Sequence, residues 1–204
     1  MTLISVASVE DLVAACADHE TFGFHGTSSL ASEDIETKGF LPSKVFSESD
    51  HTSLLSMASS LSIDTSGYTE WLGMRSVTFA MQAEAAVSHV LNGSSGGQGL
   101  QNMQAVLFKI LELGSVQQVE RATVFVEMLE AIRKAPPVIY AVNLSDFGQR
   151  LVNDRRQPLY QYYWDPGLPT PKVSDIGPSR LLAKLCFSKS CASPDQLFPL
   201  DQAG

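Results

Sequence analysis

The longest periodic run in the chain ends at a pair of prolines. Val116, Val119, Thr123, Val126, Leu129 and Ile132 recur at helical spacing, which predicts a helix over residues 115–134. Pro136 and Pro137 cannot continue it, because proline has no amide hydrogen and its ring clashes with the preceding turn. "VIYAVNL" (residues 138–144) follows at once and favours a strand through its β-branched and aromatic side chains. A clear helix set directly against a clear strand excludes an all-α or all-β chain.

Other segments extend this mixed pattern. Ser8 followed by Asp11 is a capping signature for a short helix over 9–18, with Leu12, Val13 and Cys16 as its apolar stripe. Residues 22–25 look like a brief strand. Residues 30–38 read as a helix closed by Gly39, since glycine accepts the left-handed conformation at a helix end. The Ser/Thr/Asp-rich segment 43–69 reads as a long excursion with one helical turn around 54–61. "SVTFAM" (76–81) is a strand and 82–91 a helix. "NGSSGGQG" (92–99) is a surface loop, without the lysine and preceding strand that a phosphate-gripping loop requires. The near-continuous apolar run of 104–113 reads as a strand, "YQYYW" (160–164) as another, and 181–188 as the last. The expected architecture is one α+β domain over 1–190 with antiparallel pairing, followed by a polar tail over 191–204.

Composition narrows the function classes. A formal net charge of −8 argues against a nucleic-acid scaffold, which wants a basic stripe. The small cluster of Arg150, Arg155 and Arg156 does not supply one. Cys16, Cys186 and Cys191 show no metal-ligand spacing and are too few for a disulfide framework, so free thiols in a reducing compartment are expected. No basic, apolar leader opens the chain, and no apolar run reaches the ~20 residues of a membrane span. The expectation is a soluble, cytoplasmic protein with neither nucleic-acid nor membrane partner and no bound metal.

Chemistry concentrates in "FGFHGTSSLASEDIETKGF" (22–40). His25 can donate and accept hydrogen bonds, which suits ribose hydroxyls. Gly26 permits close backbone approach to a flat amide-bearing ring. Thr27 and Ser28, with the amides of the following helix, suit a phosphate. The same residues also suit an N-capping Ser or Thr beside a satisfied core histidine, and residue types alone leave both readings open.

The order and spacing of Phe24, His25, Gly26, Thr27, Ile35, Gly39 and Phe40 resemble the first motif of the ADP-ribosyltransferase superfamily, in the branch of diphtheria toxin and the poly(ADP-ribose) polymerases. The resemblance implies a fold of split, mostly antiparallel sheets flanked by short helices, with NAD+ as co-substrate. It implies that His25 holds the adenosine ribose and Gly26 the nicotinamide amide, with Thr27 and Ser28 as hydroxyl support. "SVTFAMQAEAAVSHVL" resembles the second motif and puts Phe79 where a tyrosine usually stacks on nicotinamide; His89 further on reads as structural. The third motif departs, because no glutamate lies between residues 160 and 181. Asp165 in "YYWDPG" and Asp175 in "KVSDIG" are the acids left to steady the oxocarbenium-like charge as nicotinamide leaves. The resemblance further implies transfer to a protein acceptor, recognised through the aromatic segment 154–175. A divergent group of bacterial effectors that modify ubiquitin on threonine is its narrowest form, which would carry the protein into a host cell. The competing expectations are an inactive NAD or ADP-ribose binding module, an NAD glycohydrolase, and an RNA 2′-phosphotransferase.

Overall fold

The computed structural model describes residues 3–40, 46–73, 76–91, 97–154, 158–163 and 175–186. These form a seven-stranded sheet with helices on both faces and a separate helical layer. In chain order the strands are β1 (Ile4–Val6), β2 (Phe22–Ser28), β3 (Ser76–Ala80), β4 (Pro137–Asn143), β5 (Leu151–Asp154), β6 (Leu159–Tyr163) and β7 (Leu181–Cys186). The helices are α1 (Val9–Ala14), α2 (Ser32–Lys38), α3 (Glu48–Ser60), α4 (Ser66–Gly73), α5 (Ala83–Leu91), α6 (Gly97–Leu113) and α7 (Val116–Lys134). The sheet order is β1-β7-β4-β2-β3-β6-β5, and every pairing is antiparallel except that of β1 with β7. Mixed α and β content with mostly antiparallel pairing therefore holds, but the strands form one seven-stranded sheet rather than the split sheets expected, because β2 and β3 still join at Phe24–Ala80.

β4 explains why the sheet has two dry faces. From Pro137 to Val142 it is buried throughout, as "VIYAV" requires of a central strand. Ile139 and Ala141 point into one core with Phe24, Leu12 and Val87, under α1 and α5. Val138, Tyr140 and Val142 point into the other with Phe40, Phe79, Tyr162 and Ile176, beside α2.

Several expectations are corrected. Residues 104–113 are not a strand but the second half of α6. Leu100, Met103, Val106, Leu107 and Ile110 are buried while Phe108 and Lys109 are exposed, a period of 3–4 that only a helix gives. A continuous apolar run does not by itself separate the two states. The excursion 43–69 contains two helices. Ser47 opens α3 with a full capping box to Asp50, and Leu54, Met57 and Ala58 bury its inner face. In α7 the buried side is Ala122, Phe125, Leu129 and Ile132, whereas Val116 is 77% exposed. β1 and β5 were too short to read from the sequence. Residues 97–99, expected in a loop, instead open α6, while residues 92–96, 187–188 and the tail 191–204 lie outside the described residues.

Gly39 closes α2 as expected, at φ 78°. A Cβ there would also lie 2.3 Å from the Ile176 carbonyl oxygen, so glycine lets the end of α2 press against the 176–177 backbone. The Phe40 amide donates to that carbonyl at 3.1 Å. Cys16 is a buried free thiol, pushed up to about 11 by burial, and Cys186 is an exposed one. Among the described residues no helix is long and apolar enough to cross a membrane.

Candidate functional site

The expected site sits where the sheet comes apart. β2 and β4 pair without a break from Phe22–Asn143 to Ser28–Pro137. The Leu144 amide donates to the Thr21 carbonyl and the Ser29 amide to the Pro136 carbonyl, each at 2.8 Å. These bonds mark Phe22–Asn143 and Ser28–Pro137 as non-hydrogen-bonded pairs. Gly23, His25 and Thr27 therefore exchange bonds with β4. Phe24 and Gly26 turn their N–H and C=O groups the other way, toward β3.

β3 meets them only once, at Phe24–Ala80. A continued ladder would next join Gly26 to Thr78. Instead the Thr78 carbonyl accepts a hydrogen bond from the His25 ring, Nδ1 to O 3.0 Å. Among the described residues Gly26 has no register partner on β3, so its amide and carbonyl are directed at the gap in the ladder between β2 and β3. Unpaired backbone groups there are costly without water or a ligand.

A carbonyl only accepts, so Nδ1 carries the hydrogen and Nε2 of the neutral ring is left as an acceptor. The ring stands edge-on to Phe40 at 4.8 Å between centroids and tilted to Phe79 at 5.7 Å. Burial pushes its pKa down to about 4; the Thr78 carbonyl opposes that shift and nearby His89 adds to it. The sign of the pH effect follows. Between the unfolded value of about 6.5 and the folded value of about 4, only the unfolded chain takes up the proton. Stability should therefore be full above pH 6.5, fall as the pH drops toward 4, and level below it. The His25 contribution is at most about 3 kcal/mol, reduced by the water that reaches a half-buried ring. Denaturant unfolding at several pH values checks this: His25→Phe should flatten the slope, and an unchanged slope would assign it elsewhere.

The remaining expected residues divide. Gly26 has a packing reason to be glycine: a Cβ would lie 2.5 Å from Val90 Cγ1 and 2.9 Å from the Ala86 carbonyl oxygen, both on α5. Thr27 alternates with Gly26 and shares the face of His25. Ser28 is buried, and its hydroxyl accepts the Leu30 amide at 3.3 Å to cap the short 3-10 turn Ser29–Ala31. That corrects its expected role: the oxygen serves the chain itself. Phe79 is fully buried and forms a triangle of rings with His25 and Phe40, so none of its ring is exposed to solvent. Stacking on a ligand is not available to it in this conformation.

Asp175 is described, and it is engaged. Its Oδ2 accepts from the Tyr162 hydroxyl at 2.8 Å and from Arg150 Nη1 at 2.7 Å. The three groups clamp β6 and the 3-10 turn Gly148–Arg150 just before β5 to the segment that meets Gly39. Desolvation and the neighbouring carboxylate push the Tyr162 hydroxyl above its ordinary pKa, against the opposing effect of Arg150. Asp165 lies outside the described residues, as does most of the expected acceptor segment. His89 is on α5, and burial lowers its pKa.

One polar cluster escaped the sequence reading. Glu36 Oε1 accepts from the Tyr140 hydroxyl at 2.7 Å and from Lys184 Nζ at 2.8 Å, and its Oε2 accepts from Lys184 at 3.0 Å. Nothing local in "DIETKGF" announces partners more than 100 residues away. An open pocket lined by Ser49, Thr52, Ser53, Ser56, Met57 and Arg121 belongs to the helical layer and contains none of the expected site residues.

Comparison of the chain with protein-family models, with curated proteins and with solved structures returned no match.

Proposed function

We propose that the chain is an NAD+-dependent mono-ADP-ribosyltransferase with an ADP-ribosyltransferase-like fold. The observation that carries this reading is the break in the ladder between β2 and β3, where Gly26 has no register partner on β3 among the described residues and the His25 ring takes the Thr78 carbonyl. A primary carboxamide needs one acceptor and one donor side by side, and a backbone N–H and C=O turned to the same side supply that pair. A neutral imidazole with a free Nε2 acceptor suits a ribose hydroxyl. In this reading Gly26 holds the nicotinamide carboxamide, His25 a ribose hydroxyl, and Thr27 supports from the same face. The chemistry is departure of nicotinamide from the ribose and attack by a protein side chain, with a threonine of ubiquitin as its narrowest form. Asp165 is the carboxylate left for the developing positive charge.

The engagement of Asp175 with Arg150 and Tyr162 favours a second reading, an NAD or ADP-ribose binding module without transfer. Nicotinamide release from NAD+, measured with and without added cell lysate, separates the two. Transfer predicts release that depends on lysate and labels a protein. Release without lysate identifies a glycohydrolase, and NAD+ binding with no release identifies the module.

A further inference from the structure

The end of α2 grips the sheet at two points, and both bear on His25. His25, Tyr140 and Lys184 are register partners across β2, β4 and β7, a row of three on one face. Glu36 holds the Tyr140 and Lys184 end of that row through three hydrogen bonds of 2.7–3.0 Å. Four residues on, Phe40 covers the His25 end with ring centroids 4.8 Å apart, and it also meets Tyr140 at 6.3 Å and Phe79 at 5.2 Å. Gly39 turns the chain between the two grips.

Glu36 is badly placed for α2 alone. It lies near the helix C-terminus, where the dipole disfavours an anion. It is also only about a quarter exposed, so its charge depends on Lys184 and Tyr140 for compensation. A tie of that kind fixes the angle of α2 over the row. It thereby fixes where the Phe40 ring stands.

We propose that Glu36 is a positioning residue: through Lys184 and Tyr140 it sets α2 so that Phe40 holds the His25 ring in the gap, bonded to the Thr78 carbonyl. This rests on the reading of the gap as a ligand site only in its consequence for binding. The placement of the ring is testable by itself.

The test uses the full chain and two readouts. The first is the His25 ring by NMR, from the solvent exchange of its Nδ1 proton and from its titration curve. The second is NAD+ affinity by calorimetry. Glu36→Gln keeps a hydrogen-bond acceptor for Tyr140 and removes the ion pair. In the folded variant, Nδ1 proton exchange should rise about tenfold, the titration midpoint should move toward that of a free histidine, and NAD+ affinity should fall by a similar factor. A tie that merely adds stability would lower the melting temperature and leave the folded-state ring signals unchanged, and that result overturns the proposal. If Glu36→Gln does not fold, Lys184→Gln cuts the same tie from the sheet side. Lys184→Arg, which keeps the charge, should restore the ring signals. If the wild-type chain does not bind NAD+, the ligand reading fails, but the ring readout still decides the role of Glu36.

Discussion

Replacing His25 by alanine should lower NAD-dependent nicotinamide release about 100-fold, the cost of one well-placed hydrogen bond to a ribose hydroxyl together with a loosened pocket. Two effects combine in that number, and a second variant separates them. Alanine removes the ring that packs against Phe40 and Phe79 and leaves the Thr78 carbonyl without its ring donor. A stability loss of about 2 kcal/mol is expected from that alone. His25→Phe retains ring packing but has neither nitrogen, so it should recover much of the stability and none of the activity. Thermal melts read the first effect and nicotinamide release the second. Activity surviving in folded His25→Phe would remove Nε2 from the account.

Gly26→Ala should be the most destabilising single-methyl change in the sheet. The new Cβ would sit 2.5 Å from a buried valine methyl and 2.9 Å from a backbone oxygen of α5. The methyl has little room to retreat, since Val90 is fully buried, and the Ala86 carbonyl moves only if the helix does. A loss of about 3 kcal/mol follows, or a drop in Tm of about 6–12 °C for a chain of this length. Adding Val90→Ala relieves the closer of the two contacts. The double variant should therefore be more stable than the sum of the single changes predicts, by about 1 kcal/mol. Strict additivity in a denaturant series would show that α5 does not press on Gly26 as described.

The two variants also show what was readable from the chain. "FHGTSS" announced a histidine and a glycine in special company, and both are at the gap. Its spacing did not distinguish a ligand grip from internal packing, and the structure shows that Gly26 serves packing through α5 whatever else it does. The gap depends on β2 and β3 parting after a single pair, an encounter of residues more than 50 positions apart that local pattern does not encode. Ser28 was read for its hydroxyl and is spent as a cap. The Phe79 ring, aromatic as the pattern implies, is fully buried against His25 and Phe40. In both cases the residue type was informative and its direction was not, because direction comes from strand register. The misassigned run of 104–113 failed for a different reason: "QAVLFKILEL" is apolar enough for either state, and the helical layer of α3, α4 and α7 that decides the matter is assembled from distant segments. Glu36 illustrates the same limit at a single side chain, for its partners Tyr140 and Lys184 lie on strands far along the chain.

The central claim is that the Gly26 amide and carbonyl, turned toward β3 where the ladder stops, receive a carboxamide. It is tested most directly by titrating 15N-labelled protein with NAD+, and separately with nicotinamide, while following the backbone amides of Gly26 and Thr78. The account predicts saturable shifts at Gly26 with both ligands, with the His25 ring signals moving under NAD+ and less under nicotinamide. Saturating NAD+ that leaves the Gly26 amide and the His25 ring unmoved in the folded protein would contradict it.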